Sequence, residues 1–152
     1  MNMTFETVGI ENEELLNIAT YILNRRAYKV TKKAHRITLE AIRQEMADGW
    51  QYVIGSLEGI PCVVGSFDRG GIAIDIACRP DYVEHHAIEM MLEFIEDELS
   101  EAERIVIVAD PQIESDKRLV GILRRYGYSR SDSLGHPHPN GQFMARRLAV
   151  LA

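Results

Sequence analysis

Asp75 stands in the middle of an apolar run, between Ala73 and Ala77 in the segment GIAIDIACRP. A carboxylate drawn out of water holds its proton more tightly, which brings it toward the range of a general base acting on an amine, directly or through water. Two plainer readings stand beside that one: Asp75 faces a solvated groove, or it pairs with a basic neighbour. A few residues on, the chain turns at Pro80 into a helical apolar pattern. The free amides that open such a helix suit an anion such as a phosphate, unless the turn is only a turn. His136 and His138, in GHPHPNG, have the His-x-His form of a metal ligand pair. No cysteine or third histidine stands at ligand spacing, so they read as part of a loop and no metal is expected. Ser133 lies near them without a Gly-x-Ser-x-Gly elbow, which leaves no hydrolase reading. Cys62 and Cys78 sit in strand-like contexts without metal spacing and read as buried thiols in a reducing compartment.

The elements that must position these groups follow from periodicity. Ile72, Ile74, Ile76 and Cys78 alternate with Ala73, Asp75, Ala77 and Arg79, the period of a strand that Pro80 ends. Ala87, Ile88, Met91, Leu92, Ile95 and Leu99 recur at helical spacing. Before this unit, a strand is expected over 4–8 and helices over 11–28 and 37–47, separated by a basic run of Arg25, Arg26, Lys29, Lys32, Lys33, His35 and Arg36. Two strands, 50–57 and 60–67, flank Glu58-Gly59 as a hairpin. After it come an apolar strand over 104–109 broken by Asp110-Pro111 and a helix capped by Ser115 that Gly127 ends. A last strand pair over 129–133 and 142–151 closes the chain. The order is β-α-α-β-β-β-α-β-α-β-β, which predicts an α/β domain spanning residues 1–152, with helices on both faces of a mixed sheet.

With 152 residues, 46% hydrophobic and 26% charged, the composition is that of a soluble globular domain. A net charge of −6 argues against a generic nucleic-acid or anionic-membrane surface. No apolar run approaches the ~20 residues of a membrane span, and MNMTFETVGI lacks the regions of a signal peptide. A cytoplasmic location is the expectation.

The order of elements and two local patterns resemble the GNAT superfamily of acyl-CoA-dependent N-acetyltransferases. In that family a strand ending near a proline leads into a turn of the form Arg/Gln-x-x-Gly-x-Gly/Ala, whose amides hold the CoA pyrophosphate at the head of a long helix. A later helix ends in a segment like Leu-Tyr-x-x-x-Gly-Phe. Here IACRPDY falls at the first pattern and ILRRYGYSR at the second, with Gly127-Tyr128 in place of Gly-Phe. The resemblance implies a mostly antiparallel central sheet of about six or seven strands with about four helices. It also implies acetyl-CoA as co-substrate, with no metal. The main chain of Ile76, Ala77 and Cys78 would bind the pantetheine arm, and the turn Val83, Glu84, His85, His86, Ala87 and Ile88 would face the pyrophosphate. Asp116 stands where the family often has an asparagine. The sequence departs at Val83 for the Arg or Gln, His86 for the first glycine, Ile88 for the second small residue and Leu123 for the tyrosine that protonates the leaving thiolate. Tyr126, about one helical turn beyond Leu123, is the candidate to take over that proton, while Tyr128 reads as core.

Amide acylation needs a bound thioester, an amine freed of its proton, and a proton for the leaving thiolate. Asp75 and Tyr126 are the catalytic candidates for the last two. The resulting expectation is an N-acyltransferase acting on an amine of a small molecule or protein, with the last strand able to pair two copies as a homodimer. The competing expectation is a relative that keeps the scaffold for binding or assembly, as divergent members in bacteriophage genomes and virions do.

Overall fold

Two apolar faces on one sheet set the architecture. The computed structural model describes residues 2–27, 37–102, 104–109, 114–130 and 142–147. The elements run β1 (Met3–Thr7), α1 (Glu13–Ala27), α2 (Leu39–Ala47), β2 (Gln51–Leu57), β3 (Ile60–Phe67) and β4 (Ile72–Cys78). A short 3-10 helix (Pro80–His85) then leads to α3 (Ala87–Glu98), β5 (Arg104–Ala109), α4 (Glu114–Arg125), β6 (Ser129–Arg130) and β7 (Gln142–Arg147). The strands form one seven-stranded sheet in the order β1-β2-β3-β4-β5-β7-β6. Every neighbouring pair is antiparallel except β4 and β5, which are parallel. The mixed, mostly antiparallel sheet with four helices agrees with the expected class.

Strand alternation divides the core. Val63, Ile76 and Cys78 pack with Met91, Leu92 and Ile95 of α3 and with Leu119 and Leu123 of α4. On the other face Tyr52, Ile54, Val64 and Ala77 pack with Leu16, Ile22 and Leu23 of α1 and Ile42 of α2. Each Val, Leu, Ile or Met among them, fully buried, contributes about 1.5–3 kcal/mol of transfer free energy, so the sheet is held from both sides.

Helix boundaries are decided by caps. α1 begins at Glu13, because the Asn12 side chain accepts from the Leu15 amide at 3.1 Å. α2 begins at Leu39 because Thr38 Oγ1 accepts from the Ala41 amide at 3.1 Å. Ile37 lies ahead of that cap, where the Asn24 amide accepts from its N–H at 2.7 Å and donates to its carbonyl at 2.8 Å. The expected cap Ser115 is corrected: it lies inside α4, which already includes Glu114. At the far end of α4, Gly127 adopts φ +89°, its N–H bonding Arg124 O and the Tyr128 N–H bonding Leu123 O. These are the paired bonds of a Schellman motif, and the left-handed φ is why glycine follows this helix. β7 is interior to the sheet, between β5 and the two-residue β6, and not a free edge. The basic run at 29–36, Asp110-Pro111, the strand end at 131–133 with Ser133, the loop carrying His136 and His138, and the strand continuation at 148–151 lie outside the described residues.

Candidate active site

The site is built where β4 leaves β5. The two strands share register only at Ile72↔Val106 and Ala73↔Ile107. A bond from the Val106 N–H to Gly71 O, 2.7 Å, ties the start of this seam. On its other edge β4 stays paired with β3 as far as Val63↔Cys78. That second ladder skips a residue: Ser66 faces Asp75 and Phe67 faces Ala73, leaving Ile74 extra. A bulge bends its strand and re-aims the backbone beyond it. Ile74 is therefore both the extra residue against β3 and the first residue of β4 with no register partner on β5. The bulge gives the physical reason for the parting.

Beyond it the main chain of β4 has a direction. The Arg79 N–H donates to Cys62 O of β3 at 2.8 Å. Peptide groups of successive strand residues alternate between the two edges, so those of Cys78 and Ile76 turn toward the parted seam. Ile76, Ala77 and Cys78 are buried. Burial pushes the Cys78 thiol up to about 12, with the neighbouring Cys62 adding to the shift. Cys62 is raised as well, chiefly by burial, so both thiols stay protonated and uncharged. The fold places Asp75 opposite Ser66 at the bulge; its side chain lies outside the described atoms, as do those of Val83, Glu84 and Asp116.

The turn after β4 is a 3-10 helix with Pro80 at its start and Arg79 as its cap. His86 ends it at φ +61°, ψ +24° and is at once the N-terminal flank of α3. This is the left-handed region that glycine enters without cost, and His is among the residues that tolerate it. His86 gives α3 no side-chain cap. Its carbonyl accepts the first helical bond from Met90 at 3.0 Å, so the amides of Ala87, Ile88 and Glu89 precede the helical ladder. The His86 ring Nδ1 lies 2.7 Å from Glu89 Oε2. Arg79, which sequence reading passed over, is the cation of this turn: it pairs with Asp81 at 3.3 Å, and its guanidinium carbon lies 5.2 Å from the Tyr82 ring centre. Its place immediately before Pro80 was the available signal. His85 is exposed beside Tyr82, with ring centres 5.8 Å apart.

Tyr126 follows the end of α4 and donates to Glu93 of α3 at 2.9 Å. Burial, then the bond to Glu93, pushes its phenol up to about 12. A cavity of about 320 Å³ joins it to the turn, lined by His86, Glu89, Met90, Glu93, Arg125 and Tyr126. The fold thus brings Tyr126 together with His86. Leu123 is fully buried, and Tyr128 is core, its hydroxyl donating to Glu96 at 3.2 Å. Among the described residues no group of three or more His, Cys, Asp or Glu is placed to hold a metal. Among them, too, no helix is long and apolar enough to cross a membrane.

A mixed, mostly antiparallel sheet with four helices, as found here, is the fold of the GNAT N-acetyltransferases. No protein-family model matches the sequence, and no curated protein matches it. Among solved structures, PaiA N-acetyltransferase from Thermoplasma acidophilum, in complex with coenzyme A, is 10% identical, with a TM-score of 0.70 over 97% of this chain and 99% of that one. A GNAT-family acetyltransferase from Staphylococcus aureus is 13% identical, with a TM-score of 0.73 over 97% of this chain and all of that one. An acetyltransferase from Thermus thermophilus is 12% identical, with a TM-score of 0.70 over 97% and 98% of the two chains. The shared property is the fold, across sequences that have diverged widely.

Proposed function

We propose that the chain is an acyl-CoA-dependent N-acyltransferase, moving an acetyl group from acetyl-CoA to an amine of a small molecule or protein. The observation that carries this reading is the parting of β4 from β5 beyond Ala73↔Ile107. An extended pantetheine arm with its amides along β4 adds the strand that β5 no longer supplies, and the main chain of Ile76, Ala77 and Cys78 holds it. Side-chain identity matters little to such a contact.

The turn receives the pyrophosphate on the amides at the head of α3, where the left-handed His86 preserves the backbone path that a glycine would take. Val83, Glu84, His85, Ala87 and Ile88 complete that turn, and Asp116 borders the cofactor from α4. Arg79, paired with Asp81, takes the place of a cation at Val83 by exchanging that carboxylate for the pyrophosphate. Coenzyme A in the PaiA structure supports a CoA ligand for this fold.

In the reaction, Asp75 takes a proton from the acceptor ammonium, directly or through water. The freed nitrogen bonds the thioester carbonyl carbon, the C–S bond breaks and sulfur leaves with the electron pair, while the nitrogen gives up its second proton to water and becomes a neutral amide. Tyr126 is the proposed proton source for that sulfur. With its phenol near 12 it carries its proton at neutral pH, but must give up its bond to Glu93 to deliver it. Tyr126→Phe is expected to lower kcat by about tenfold or more with acetyl-CoA affinity unchanged. An unchanged kcat removes Tyr126 from the mechanism. Two buried free thiols support a reducing, cytoplasmic setting.

Calorimetric titration with acetyl-CoA tests the whole reading. A Kd below ~100 μM, near −5.5 kcal/mol, is the expected result. No heat and no thermal shift at millimolar ligand would leave the second reading, a binding or assembly protein on this scaffold. That reading is favoured by one observation: Leu123 is sealed in the core where the family has its catalytic tyrosine.

A further inference from the structure

Ser66 Oγ is buried without a hydrogen-bond partner among the described residues. The residue is 1% exposed and is, among the described residues, the buried polar residue of the sheet. A hydroxyl left this way costs about 1–3 kcal/mol, a cost that alanine at the same place would not carry. Its surroundings are specific. Ser66 is the middle member of a cross-strand row, with Tyr52 of β2 on one side and Asp75 of β4 on the other. Ser66 lies on the α1 face, because Val64, two residues before it along β3, packs there beside Tyr52. Among the described residues, Tyr52 and Glu45 of α2 are titratable groups on that face beside the row, and the Tyr52 hydroxyl donates to Glu45. The remaining polar position in the row is 75, at the bulge where β4 leaves β5. Directly opposed residues of an antiparallel ladder have Cβ atoms about 4.5–5.5 Å apart, a span that one water bridges between a short hydroxyl and a carboxylate.

We propose that Ser66 is a positioning residue that holds a water against the Asp75 carboxylate at the parting of β4 and β5, and that the acceptor ammonium loses its proton through this water. The inference rests on the N-acyltransferase reading and adds a residue to it. One proton passes from the ammonium nitrogen to the water as one of the water's own protons passes to the carboxylate. The water is regenerated, the nitrogen is neutral with its lone pair free, and Asp75 is protonated. The Ser66 hydroxyl donates to the water and keeps its own proton throughout.

The test has one arm that needs no turnover. In ¹³C-carboxyl NMR, assigned with Asp75→Asn, Ser66→Ala is expected to raise the Asp75 titration midpoint by about 0.5–1 pH unit, since the water that donates to the ionised form is no longer held in place. In the transfer assay the acid limb of kcat/KM should move up by the same amount, with acetyl-CoA affinity within about twofold of wild type. Ser66→Cys, a weaker donor of similar size, should move both the same way by less, and replaces the alanine variant if that one fails to fold. An unmoved midpoint overturns the inference whether or not the chain transfers acetyl. An unmoved acid limb in an active enzyme overturns it equally. A wild-type chain that neither binds acetyl-CoA nor transfers acetyl overturns the underlying reading, and the proton route with it.

Discussion

Asp75→Asn is expected to lower acetyl transfer by about 10²- to 10⁴-fold, the range that a positioned general base supplies. The size follows from the acceptor. An alkyl ammonium resembling lysine, with a pKa near 10.4, holds its proton at neutral pH, and its nitrogen has no lone pair until that proton is removed. Asparagine keeps the volume of the side chain and removes the capacity to take the proton. Binding of acetyl-CoA should be unaffected, because the proposed contacts to it are made by the main chain of Ile76, Ala77 and Cys78 and by the turn. Paired measurement of kcat and of acetyl-CoA affinity checks both halves. Unchanged turnover takes Asp75 out of the mechanism, while a parallel loss of affinity would make it a structural residue of the seam.

Gly71→Ala should destabilise the fold by about 3 kcal/mol or more, the largest stability effect expected of a one-methyl change here. Gly71 adopts φ +106°, and a Cβ built on it would lie 2.3 Å from the carbonyl oxygen of Arg104. The obstruction is backbone, which cannot swing aside as a side chain can. It lies where Gly71 O accepts from the Val106 N–H to start the β4–β5 seam. The cost is thus both the strain of a left-handed alanine and the loss of the bond that starts the β4–β5 ladder. Gly121→Ala, inside α4 with nothing within 4 Å of a built Cβ, is the control. It should be neutral or stabilising by up to about 1 kcal/mol. Urea unfolding of the two variants decides the matter, and a Gly71 variant within 1 kcal/mol of wild type would sink the seam geometry.

Much of this architecture was legible from local chemistry. The alternation of Ile72 to Cys78, the helical spacing from Ala87, the Glu58-Gly59 hairpin and Gly127 beyond the last helix each act within a few residues. Their elements appear where periodicity and turn chemistry place them. Boundaries shifted where a side chain beside the end capped it: Asn12 and Thr38 start their helices at Glu13 and Leu39, later than the expected 11 and 37. The turn after Arg79 was legible as a turn, though not that His86 would take the left-handed conformation normally left to glycine.

The site was a different matter. Asp75 was visible as an odd residue in its strand, but the bulge at Ile74 depends on which residues of β3 lie opposite, and no local pattern reports register. Ser66 in IPCVVGSF reads as an ordinary strand residue; only strand pairing sets it between Tyr52 and position 75, and only the packed fold buries it. Tyr126 could be counted as one turn past Leu123, yet its partner Glu93 is 33 residues away on another helix. Elements and their order came from local chemistry, because hydrophobic period and capping are short-range. Tertiary structure alone decided where the two central strands separate and which polar groups meet there, because those are fixed by pairing and burial between residues distant in the chain.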